Sequence, residues 1–517
     1  MAAGKTTIGR LIATKSGRPH FDLDQVIEKD TGLSVTEIFA ARGEAGFRAL
    51  ERDTLRTLLD SPANPVVSLG GGALLDRATR LDALDRATVV TLEAPLDELV
   101  RRSSSSKKRP LLDVPDAHAR AAELLEQRRG VYAESHARIS THQRAPDDVA
   151  RDVIQVWARE PVAVAAGDDS YVVEVGRHFA TERLPSFVAG ASSVLLVTDD
   201  HVDPLFGSAI EGALKQAGLR TAKVVLTPGE EHKNVASLAR IWNAALGASL
   251  DRKGRIVALG GGVVSDVAGF AAATWMRGVS WVGVPTTLLS MVDASVGGKT
   301  AIDLGPAKNS VGAFWQPSAV LCDVHHLSTE PDRGYASALA EVIKTALIGD
   351  PELLSLVESH TSEILARDPD TVTEIVRRCV RVKARVVSLD PREETGLRAC
   401  LNLGHTVGHA LEAYGGYGHL THGEAVSLGL VAALRIGERL GATEHALAER
   451  TIAALGALGL PVDVASQPLA PASALVGHDK KKSGNRLKFV VARAPGQVEL
   501  VDLPLDELRR LVVELAS

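Results

Sequence analysis

The chain has 517 residues, too many for one hydrophobic core, so we expect several domains. Hydrophobic residues make up 45% and charged residues 24%, which is ordinary for a globular protein. The net charge of −6 and the 4% of aromatic residues predict neither a basic surface nor stacking platforms. Nucleic acid is therefore not an expected partner.

The cysteines and the hydropathy of the sequence indicate the cellular compartment of the protein. Cys322, Cys379 and Cys400 show no CxxC spacing and are predicted to be free thiols in a reducing compartment. No run of 18 apolar residues predicts a membrane span, and the N-terminus has no apolar signal segment. We therefore expect a cytoplasmic protein that does not associate with a membrane.

Residues 1–158 alternate helical patterns with short runs typical of strands, at 65–69 and 87–92. This alternation predicts a parallel sheet with helices packed on it. A closing helix is predicted at 151–157, followed by a hinge at 158–161. The first block is therefore predicted to be an α/β domain of its own.

The chain opens with Gly4-Lys5-Thr6 leading into a predicted helix, which is the second half of a phosphate-binding loop. In such a loop the lysine reaches the β- and γ-phosphates and the threonine holds Mg²⁺. A full loop has a glycine five positions before Gly4 and a strand before that, and neither precedes Gly4 in this sequence. We expect either a start site placed at an internal methionine or a natural truncation.

Further motifs follow in order, namely Phe21-Asp22-Leu23-Asp24, Gly46-Phe47-Arg48, Gly70-Gly71-Gly72, Lys107-Lys108-Arg109-Pro110, and Arg128 four residues before Tyr132. In this order they resemble shikimate kinase, a P-loop kinase, with the first strand missing. The resemblance implies ATP contacts from Gly4, Lys5, Thr6 and Arg109. It implies shikimate contacts from Asp24, Arg48, Gly71 and Arg128, and a Mg²⁺ site at Thr6 and Asp22.

These residue types suit shikimate, which carries a carboxylate and vicinal hydroxyls. Arg48 and Arg128 can clamp the carboxylate in bidentate fashion, and Asp24 can accept the proton of the attacking hydroxyl. One alternative is that the arginines lie on solvated helix faces. Another is that the block is a non-catalytic interaction or regulatory module.

The second block begins with strands predicted near 170–175, 193–198, 222–226, 255–259 and 280–284. Long helical segments follow at 336–348, 352–366, 370–388, 402–414, 423–440 and 445–458, with a short strand pair near 487–501. We therefore predict a Rossmann-like α/β half at 162–326 and a mostly α-helical half at 327–517, with a cleft between them.

A predicted strand ends in Gly260-Gly261-Gly262 and leads into a helix that carries Asp266. Such a turn lets a dinucleotide pyrophosphate approach the backbone. The pattern is not GxGxxG, so a plain tight turn between a strand and a helix remains the alternative.

Glu341, His405 and His422 are candidate metal ligands in three separate motifs. One carboxylate and two imidazoles suit a catalytic Zn²⁺ with an open position. His409 lies one helical turn after His405 and could also be a ligand, and His419 competes with His422. No glutamate follows His405, so the pattern is not that of an HExxH protease.

The metal triad, Pro228–Lys233, Pro285–Lys299 and Lys308-Asn309 together closely resemble 3-dehydroquinate synthase, over roughly residues 162–517. The resemblance implies Zn²⁺ or Co²⁺ on the triad. It implies NAD⁺ contacts from Asp199, Glu230, Lys233, Gly261, Gly262, Asp266, Thr286 and Thr287. It implies substrate contacts from Arg277, Asp293, Lys299, Asn309, Lys344, Lys383, Arg398, Asn402, His409 and Lys481, with Lys480 as the alternative to Lys481.

The two resemblances imply a bifunctional enzyme of the shikimate pathway, with a homodimer formed through the synthase part. The synthase would convert 3-deoxy-D-arabino-heptulosonate 7-phosphate to 3-dehydroquinate and phosphate, with NAD⁺ reduced and then regenerated. The front block would phosphorylate shikimate with ATP and Mg²⁺ if its loop is complete. The main alternative for the second block is a polyol dehydrogenase-like metal and NAD enzyme, which would not need lysines and arginines for a phosphate.

Overall fold

The computed structural model describes residues 2–104, 116–305, 307–416, 419–477 and 485–516. Arg109, Lys480 and Lys481 lie outside the described residues. Contacts within the chain divide it into two units, Met1–Val172 and Val173–Ser517. None of the described helices combines the length and the apolarity that crossing a membrane requires.

The first unit alternates strands and helices, as predicted. Its strands are β1 (His20–Asp22), β2 (Val66–Ser68), β3 (Val90–Glu93), β4 (Ala137–Ser140) and β5 (Val162–Val164). Its helices are α1 (Lys5–Ser16), α2 (Leu23–Thr31), α3 (Val35–Leu59), α4 (Arg77–Arg86), α5 (Leu96–Ser104), α6 (Ala117–Gln127), α7 (Arg129–Ala133) and α8 (Pro146–Arg159). The closing helix α8 begins before the predicted residue 151, because Pro146 fits the first turn of a helix.

Four strands of the first unit form two parallel pairs, β1 with β2 and β3 with β4. Within the described ranges no strand joins the two pairs. A cavity of about 440 Å³ is lined by residues that follow β2, by β3 and by Lys5 at the start of α1. The side chains of β3 are only half-buried, which is unusual for a parallel sheet, where both faces are normally covered.

The α/β half of the second unit contains β6 (Tyr171–Gly176), β7 (Val194–Asp199), β8 (Thr221–Leu226), β9 (Arg255–Gly260), β10 (Ser280–Pro285), β11 (Lys299–Leu304), β12 (Ala307–Phe314) and β13 (Ala319–Asp323). Its helices are α9 (Ala180–Phe187), α10 (Ser208–Gln216), α11 (Val235–Gly247) and α12 (Gly262–Thr274). The strands run in the order β6-β13-β10-β9-β7-β8, and each pair of neighbouring strands from β13 to β8 is parallel. The predicted Rossmann-like sheet is confirmed, while β11 and β12 form a separate antiparallel hairpin.

The helical half contains α13 (Asp332–Gly349), α14 (Pro351–Ser359), α15 (Thr361–Leu365), α16 (Pro369–Leu389), α17 (His405–Tyr414), α18 (His422–Arg439), α19 (His445–Ala457), α20 (Leu469–Ser473) and α21 (Leu505–Val513). The predicted strand pair is present as β14 (Arg486–Ala494) and β15 (Gln497–Pro504). Every residue of α13 from Ser337 to Ile348 is buried. A helix that is buried all round belongs to a core, so the polar residues Glu341 and Lys344 of α13 need partners there.

Candidate active site

Three helices bring Glu341, His405 and His422 together. Glu341 lies in the middle of α13 and is 1% exposed, while His405 and His422 are the first residues of α17 and α18. The Nε2 atom of His422 lies 3.2 Å from Glu341 Oε1, and that of His405 lies 3.5 Å from the same oxygen. The predicted metal ligands therefore share one site, with ligand atoms all within 4.8 Å of one another.

The spacing of these donors suits a metal ion. Ligand atoms about 2 Å from a tetrahedral zinc ion lie roughly 3.3 Å apart, close to the 3.2 Å and 3.5 Å found between the imidazoles and Glu341. One carboxylate and two imidazoles also leave a coordination position open. The residues present thus fit a catalytic zinc or cobalt ion.

The two imidazoles differ in charge when no metal is present. Burial lowers the pKa of His405 to about 3, so its ring is neutral. Its Nδ1 lies 3.2 Å from the carbonyl oxygen of Leu403 and must donate the hydrogen bond, which leaves the Nε2 lone pair facing Glu341. Burial also lowers the pKa of His422, but contacts with Glu341 and Glu412 outweigh it and raise the value to about 10. A metal ion would therefore displace a proton from His422.

A group of buried charges adjoins the triad. Lys344 Nζ contacts Glu341 Oε2 and lies 3.9 Å from Asp293 Oδ1, and Lys383 Nζ lies 2.6 Å from the same Asp293 oxygen. Burial raises the pKa of Glu341, but Lys344 and the two imidazoles outweigh it and hold the value well below the usual range. The predicted substrate residues Asp293, Lys344 and Lys383 are thus placed beside the predicted metal ligands.

The other predicted substrate residues within the described ranges differ in their burial and in their contacts with the triad. Arg398 is buried, and a Cβ on Gly297 would come within 2.5 Å of its guanidinium. Lys299 lies 2.5 Å from Glu393 and Arg277 is exposed after α12, and within the described ranges neither forms an ion pair with the triad. His409 has its ring centroid 5.1 Å from that of His405 and 6.0 Å from that of His422, and Asn402 ends a 3₁₀ turn shortly before α17.

The glycine turn lies where β9 ends at Gly260 and α12 begins at Gly262. A Cβ on Gly261 would lie 3.2 Å from the side chain of Thr287, so the turn leaves little room there. The hydroxyl of Thr286 is buried and has no hydrogen-bond partner within the described chain. Buried hydroxyls normally have partners, and a dinucleotide at this edge of the sheet would supply one.

Lys233 connects the glycine turn to the β11–β12 hairpin. Its Nζ lies 2.5 Å from Asp266 in the first turns of α12, and it also contacts the Asn309 side chain. Burial raises the pKa of Asp266 to about 6, although Lys233 opposes this shift. Three of the predicted cofactor and substrate residues are therefore in direct contact.

Asp199 is the last residue of β7, and Glu230 lies after the carboxyl end of the neighbouring parallel strand β8. Asp199 accepts hydrogen bonds of 2.9 Å from the backbone N–H groups of residues 201 and 202. Glu230 begins the short turn that leads to Lys233. Ligands of open parallel sheets bind at this edge, so both residues are at the expected place for a dinucleotide.

In the first unit, Gly4 has a φ of +87° and precedes α1. This left-handed conformation favours glycine. Thr6 in the first turn of α1 donates a 2.7 Å hydrogen bond to Asp22 at the end of β1. The two predicted Mg²⁺ residues are thus adjacent to each other and to the predicted phosphate-binding Lys5.

The segment Gly70–Gly72 forms a cradle for charged side chains. A Cβ on Gly70 would lie 2.9 Å from Glu51 and 3.3 Å from Asp24, and one on Gly72 would lie 2.4 Å from the Arg48 guanidinium. Arg128 donates a 3.0 Å hydrogen bond to the Gly71 carbonyl oxygen. Three of the predicted shikimate residues, Asp24, Arg48 and Arg128, therefore surround the glycine segment that contains the fourth, Gly71.

Glu51 belongs to this cradle and was missed in the sequence. It is 1% exposed and contacts Arg48. Burial raises its pKa, and Arg48 opposes the shift. Its position one helical turn after Arg48 was the only sequence signal, and that spacing is common on solvated helix faces.

Comparison with known proteins accounts for both units. The shikimate kinase family model matches residues 1–158, and the N-terminal and C-terminal models of 3-dehydroquinate synthase match residues 223–337 and 338–482. A 3-dehydroquinate synthase from Rhodopirellula baltica is 41% identical over 362 residues, which are 68% of this chain and 96% of that protein.

Solved structures show the same fold for the second unit. The 2-epi-5-epi-valiolone synthase of Streptomyces hygroscopicus, with NAD⁺ and Zn²⁺ bound, is 27% identical with a TM-score of 0.60, covering 67% of this chain and 96% of that one. A 2-deoxy-scyllo-inosose synthase complexed with carbaglucose-6-phosphate, NAD⁺ and Co²⁺ shares the fold at 24% identity and a TM-score of 0.61, covering 68% and 99% of the two chains.

The fold and the site define an enzyme class in which a Rossmann-like parallel sheet is joined to a helical domain that carries a triad of potential metal ligands. Within that class, the chain belongs to the 3-dehydroquinate synthase family and carries a shikimate kinase domain in front of it. It is an enzyme of the shikimate pathway, and the family prediction is confirmed.

Proposed function

We propose that the second unit converts 3-deoxy-D-arabino-heptulosonate 7-phosphate to 3-dehydroquinate and phosphate, with catalytic NAD⁺ and Zn²⁺ or Co²⁺. One observation carries this proposal, namely the run of contacts from Glu341 through Lys344 to Asp293 and Lys383. It places two buried ammonium groups directly beside the metal-type triad. The bound NAD⁺ and Zn²⁺ of the valiolone synthase support the choice of cofactors.

Different residues of the second unit would bind the metal ion and the dinucleotide. When bound, the metal ion acidifies a substrate hydroxyl and NAD⁺ accepts and later returns a hydride. Glu341, His405 and His422 would hold the metal. Thr286, the glycine turn and the Lys233–Asp266 pair would hold the dinucleotide, together with the other NAD⁺ residues implied by the resemblance.

Buried cations separate this proposal from a plain polyol dehydrogenase. The side chains of Lys344 and Lys383 are 3% and 10% exposed, and Arg398 is buried nearby. Lys344 and Lys383 share the carboxylate of Asp293. The other carboxylate in contact with Lys344 is the predicted metal ligand Glu341, so an anionic substrate would help to balance these buried charges. A polyol offers no anion, whereas the heptulosonate phosphate offers both a carboxylate and a phosphate.

The experiment incubates the protein, loaded with zinc, with the heptulosonate phosphate and NAD⁺. We expect one equivalent of inorganic phosphate for each 3-dehydroquinate formed, and no phosphate from the metal-stripped protein. Oxidation of simple polyols without phosphate release would overturn the proposal and favour the dehydrogenase.

We also propose that the first unit binds shikimate in the Gly70–Gly72 cradle and phosphorylates it. Support comes from Arg48 and Arg128, which contact the same cradle, with Asp24 beside them. Burial and the neighbouring Asp22 raise the pKa of Asp24, which suits a group that accepts a proton. Shikimate-dependent ADP formation tests this role. Shikimate binding without turnover would instead favour a regulatory module.

A further inference from the structure

The metal ligand His422 lies between two carboxylates. Its Nε2 is 3.2 Å from Glu341 in the triad, and its Nδ1 is 3.7 Å from Oε2 of Glu412 on the opposite side of the ring. Glu412 lies on α17, two helical turns after the ligand His405, and its side chain is 12% exposed. Neither the metal site nor the proposed reaction has so far given Glu412 a role.

Glu412 is itself anchored from the α/β half. Lys308 in β12 places its Nζ 2.9 Å from Glu412 Oε1, which leaves Oε2 to face His422. The two carboxylate oxygens thus have separate partners. This division limits rotation of the carboxylate and gives it a defined direction toward the imidazole.

We propose that Glu412 is a positioning residue that orients His422 and keeps the proton of its ring on Nδ1, so that Nε2 is free to bind the metal. The inference rests on the proposed function, because it requires a metal at the triad. Histidine ligands usually donate their second N–H to a carboxylate or a carbonyl group, which fixes both the tautomer and the ring orientation.

The same pattern occurs at the other imidazole ligand. His405 presents Nε2 to Glu341 and has the Leu403 carbonyl oxygen 3.2 Å from Nδ1. Both histidines therefore meet the metal position with the same nitrogen and have an acceptor behind them. The gap of 3.7 Å at Glu412 is longer than a hydrogen bond, and a small rotation of the ring would close it.

A second cation at Glu412 is the competing explanation. His409, Glu412 and His422 also bring their ligand atoms within 4.8 Å of one another. The ammonium group of Lys308 already lies 2.9 Å from Glu412, however, and would repel a metal ion at that place. His422 would also have to serve both ions through opposite nitrogens.

The test measures Zn²⁺ affinity by competition with a chelator, on the whole chain and without substrate. Glu412→Ala should weaken Zn²⁺ binding by roughly 10–100-fold. Glu412→Gln should recover part of this loss, because its amide oxygen can still accept from Nδ1. The matched control is Glu438→Gln on α18, which removes a carboxylate 2.6 Å from His445, a histidine outside the triad, and should leave the affinity within about twofold.

The visible spectrum of the Co²⁺-loaded protein supplies a second readout. It should change in Glu412→Ala and be unchanged in Glu438→Gln, since only the former releases the ligand His422 from its orienting carboxylate. Melting of the metal-free proteins shows whether Glu412→Ala is still folded, and Glu412→Gln serves if it is not.

Three results are distinguishable. If the unmodified protein binds no Zn²⁺, the proposed function itself fails. If it binds one equivalent and both Glu412 variants bind it as tightly, only the positioning role is wrong. If it binds two equivalents and Glu412→Ala binds one with unchanged affinity, Glu412 is a ligand of a second ion and the inference is overturned.

Discussion

Lys383 contacts Asp293 at two atoms. Its Nζ lies 2.6 Å from Oδ1 and 2.5 Å from the backbone carbonyl oxygen of Asp293. The contact joins the turn Ser290–Ala294, which follows the sheet, to α16 of the helical half. Burial lowers the pKa of Lys383, and Asp293 only partly offsets this shift. Asp293 is therefore the group that keeps a buried ammonium charged beside the metal-type triad.

Replacing Asp293 by asparagine should destabilise the protein and impair catalysis. Lys344 and Lys383 would lose their shared carboxylate, which should lower the free energy of unfolding by about 2 kcal/mol. The loss is smaller than for a fully buried pair because the Asp293 side chain is 31% exposed. We expect kcat/KM to fall roughly tenfold or more. Urea unfolding and steady-state kinetics measure both effects.

The surface variant Asp332→Asn, which removes a carboxylate 2.8 Å from Arg367, is the control. Its stability and activity should match those of the unmodified protein, because exposed ion pairs contribute little. Equal losses of stability and activity in the two variants would show that the ion pairs of Asp293 contribute no more than an exposed ion pair does.

His422→Ala should abolish stoichiometric Zn²⁺ binding, whereas His419→Ala should retain it. The first removes one of three protein ligands, and we expect affinity to fall by more than about 100-fold. His419 is exposed and offers its backbone carbonyl to Arg333, so its side chain is dispensable for the metal. Metal analysis of both purified variants decides, and loss of metal in both would refute the assignment of ligands.

Glu330→Gln should change how stability depends on pH. Glu330 is 8% exposed and accepts a 2.9 Å hydrogen bond from the Leu288 N–H group, and burial raises its pKa to about 7 from the usual 4.5. Its folded form therefore favours the protonated state. The contribution of Glu330 to the free energy of unfolding is complete below about pH 4.5 and is lost as the pH rises through 7.

The unfolding free energies of Glu330→Gln and of the unmodified protein should therefore diverge with pH. Glutamine keeps an acceptor for Leu288 and does not ionise, so at pH 8 the variant should be more stable by up to about 3 kcal/mol. That advantage should disappear near pH 4.5. Denaturant titrations across this range measure it. A constant difference at all pH values would contradict the account, and the surface variant Glu449→Gln should follow the unmodified curve.

Gly72→Ala should weaken shikimate binding to the first unit. The added Cβ would come within 2.4 Å of the Arg48 guanidinium and force it away from the cradle. We expect the Kd for shikimate, measured by calorimetry without ATP, to rise roughly tenfold or more. Gly130→Ala is the matched control, because its Cβ would meet nothing closer than 3.6 Å. Unchanged binding in Gly72→Ala would remove Arg48 from the site.

Much of the second unit could be predicted from sequence. The strands β6, β7, β9 and β10 are mostly buried runs, and the long helices of the helical half have apolar patterns, so hydrophobic periodicity located them. The single helix predicted at 352–366 is divided in the structure into α14 and α15. The helix predicted at 402–414 is a further exception. A 3₁₀ turn occupies Leu397–Asn402, and α17 begins only at His405, because Gly404 has a φ of +79° that interrupts the helix.

The β11–β12 hairpin was not predicted. Most residues of β12 are exposed, so neither alternation nor a continuous apolar run marks it. Polar side chains of β12 also contact distant residues, namely Lys308 with Glu412 and Asn309 with Lys233. Contacts between residues this far apart in the chain leave no local signal.

In the candidate sites too, some residues could be predicted from sequence motifs and others are recognised only in the structure. The metal triad and the glycine turn were found from their motifs, and the structure brings each set together. Glu51 and Glu412 were not found, because a single glutamate on an amphipathic helix has the pattern of a solvated face. Only burial against Arg48 in one case, and the position between Lys308 and His422 in the other, reveals them.

The most direct test of the central claim follows NAD⁺ during turnover. The protein is given the heptulosonate phosphate in large excess over NAD⁺, while phosphate release and absorbance of NADH are recorded together. If the second unit is a 3-dehydroquinate synthase, phosphate should far exceed the NAD⁺ supplied and NADH should not accumulate, because each hydride removed is returned. Formation of one NADH per substrate consumed, with turnover stopping when NAD⁺ is exhausted, would contradict the account.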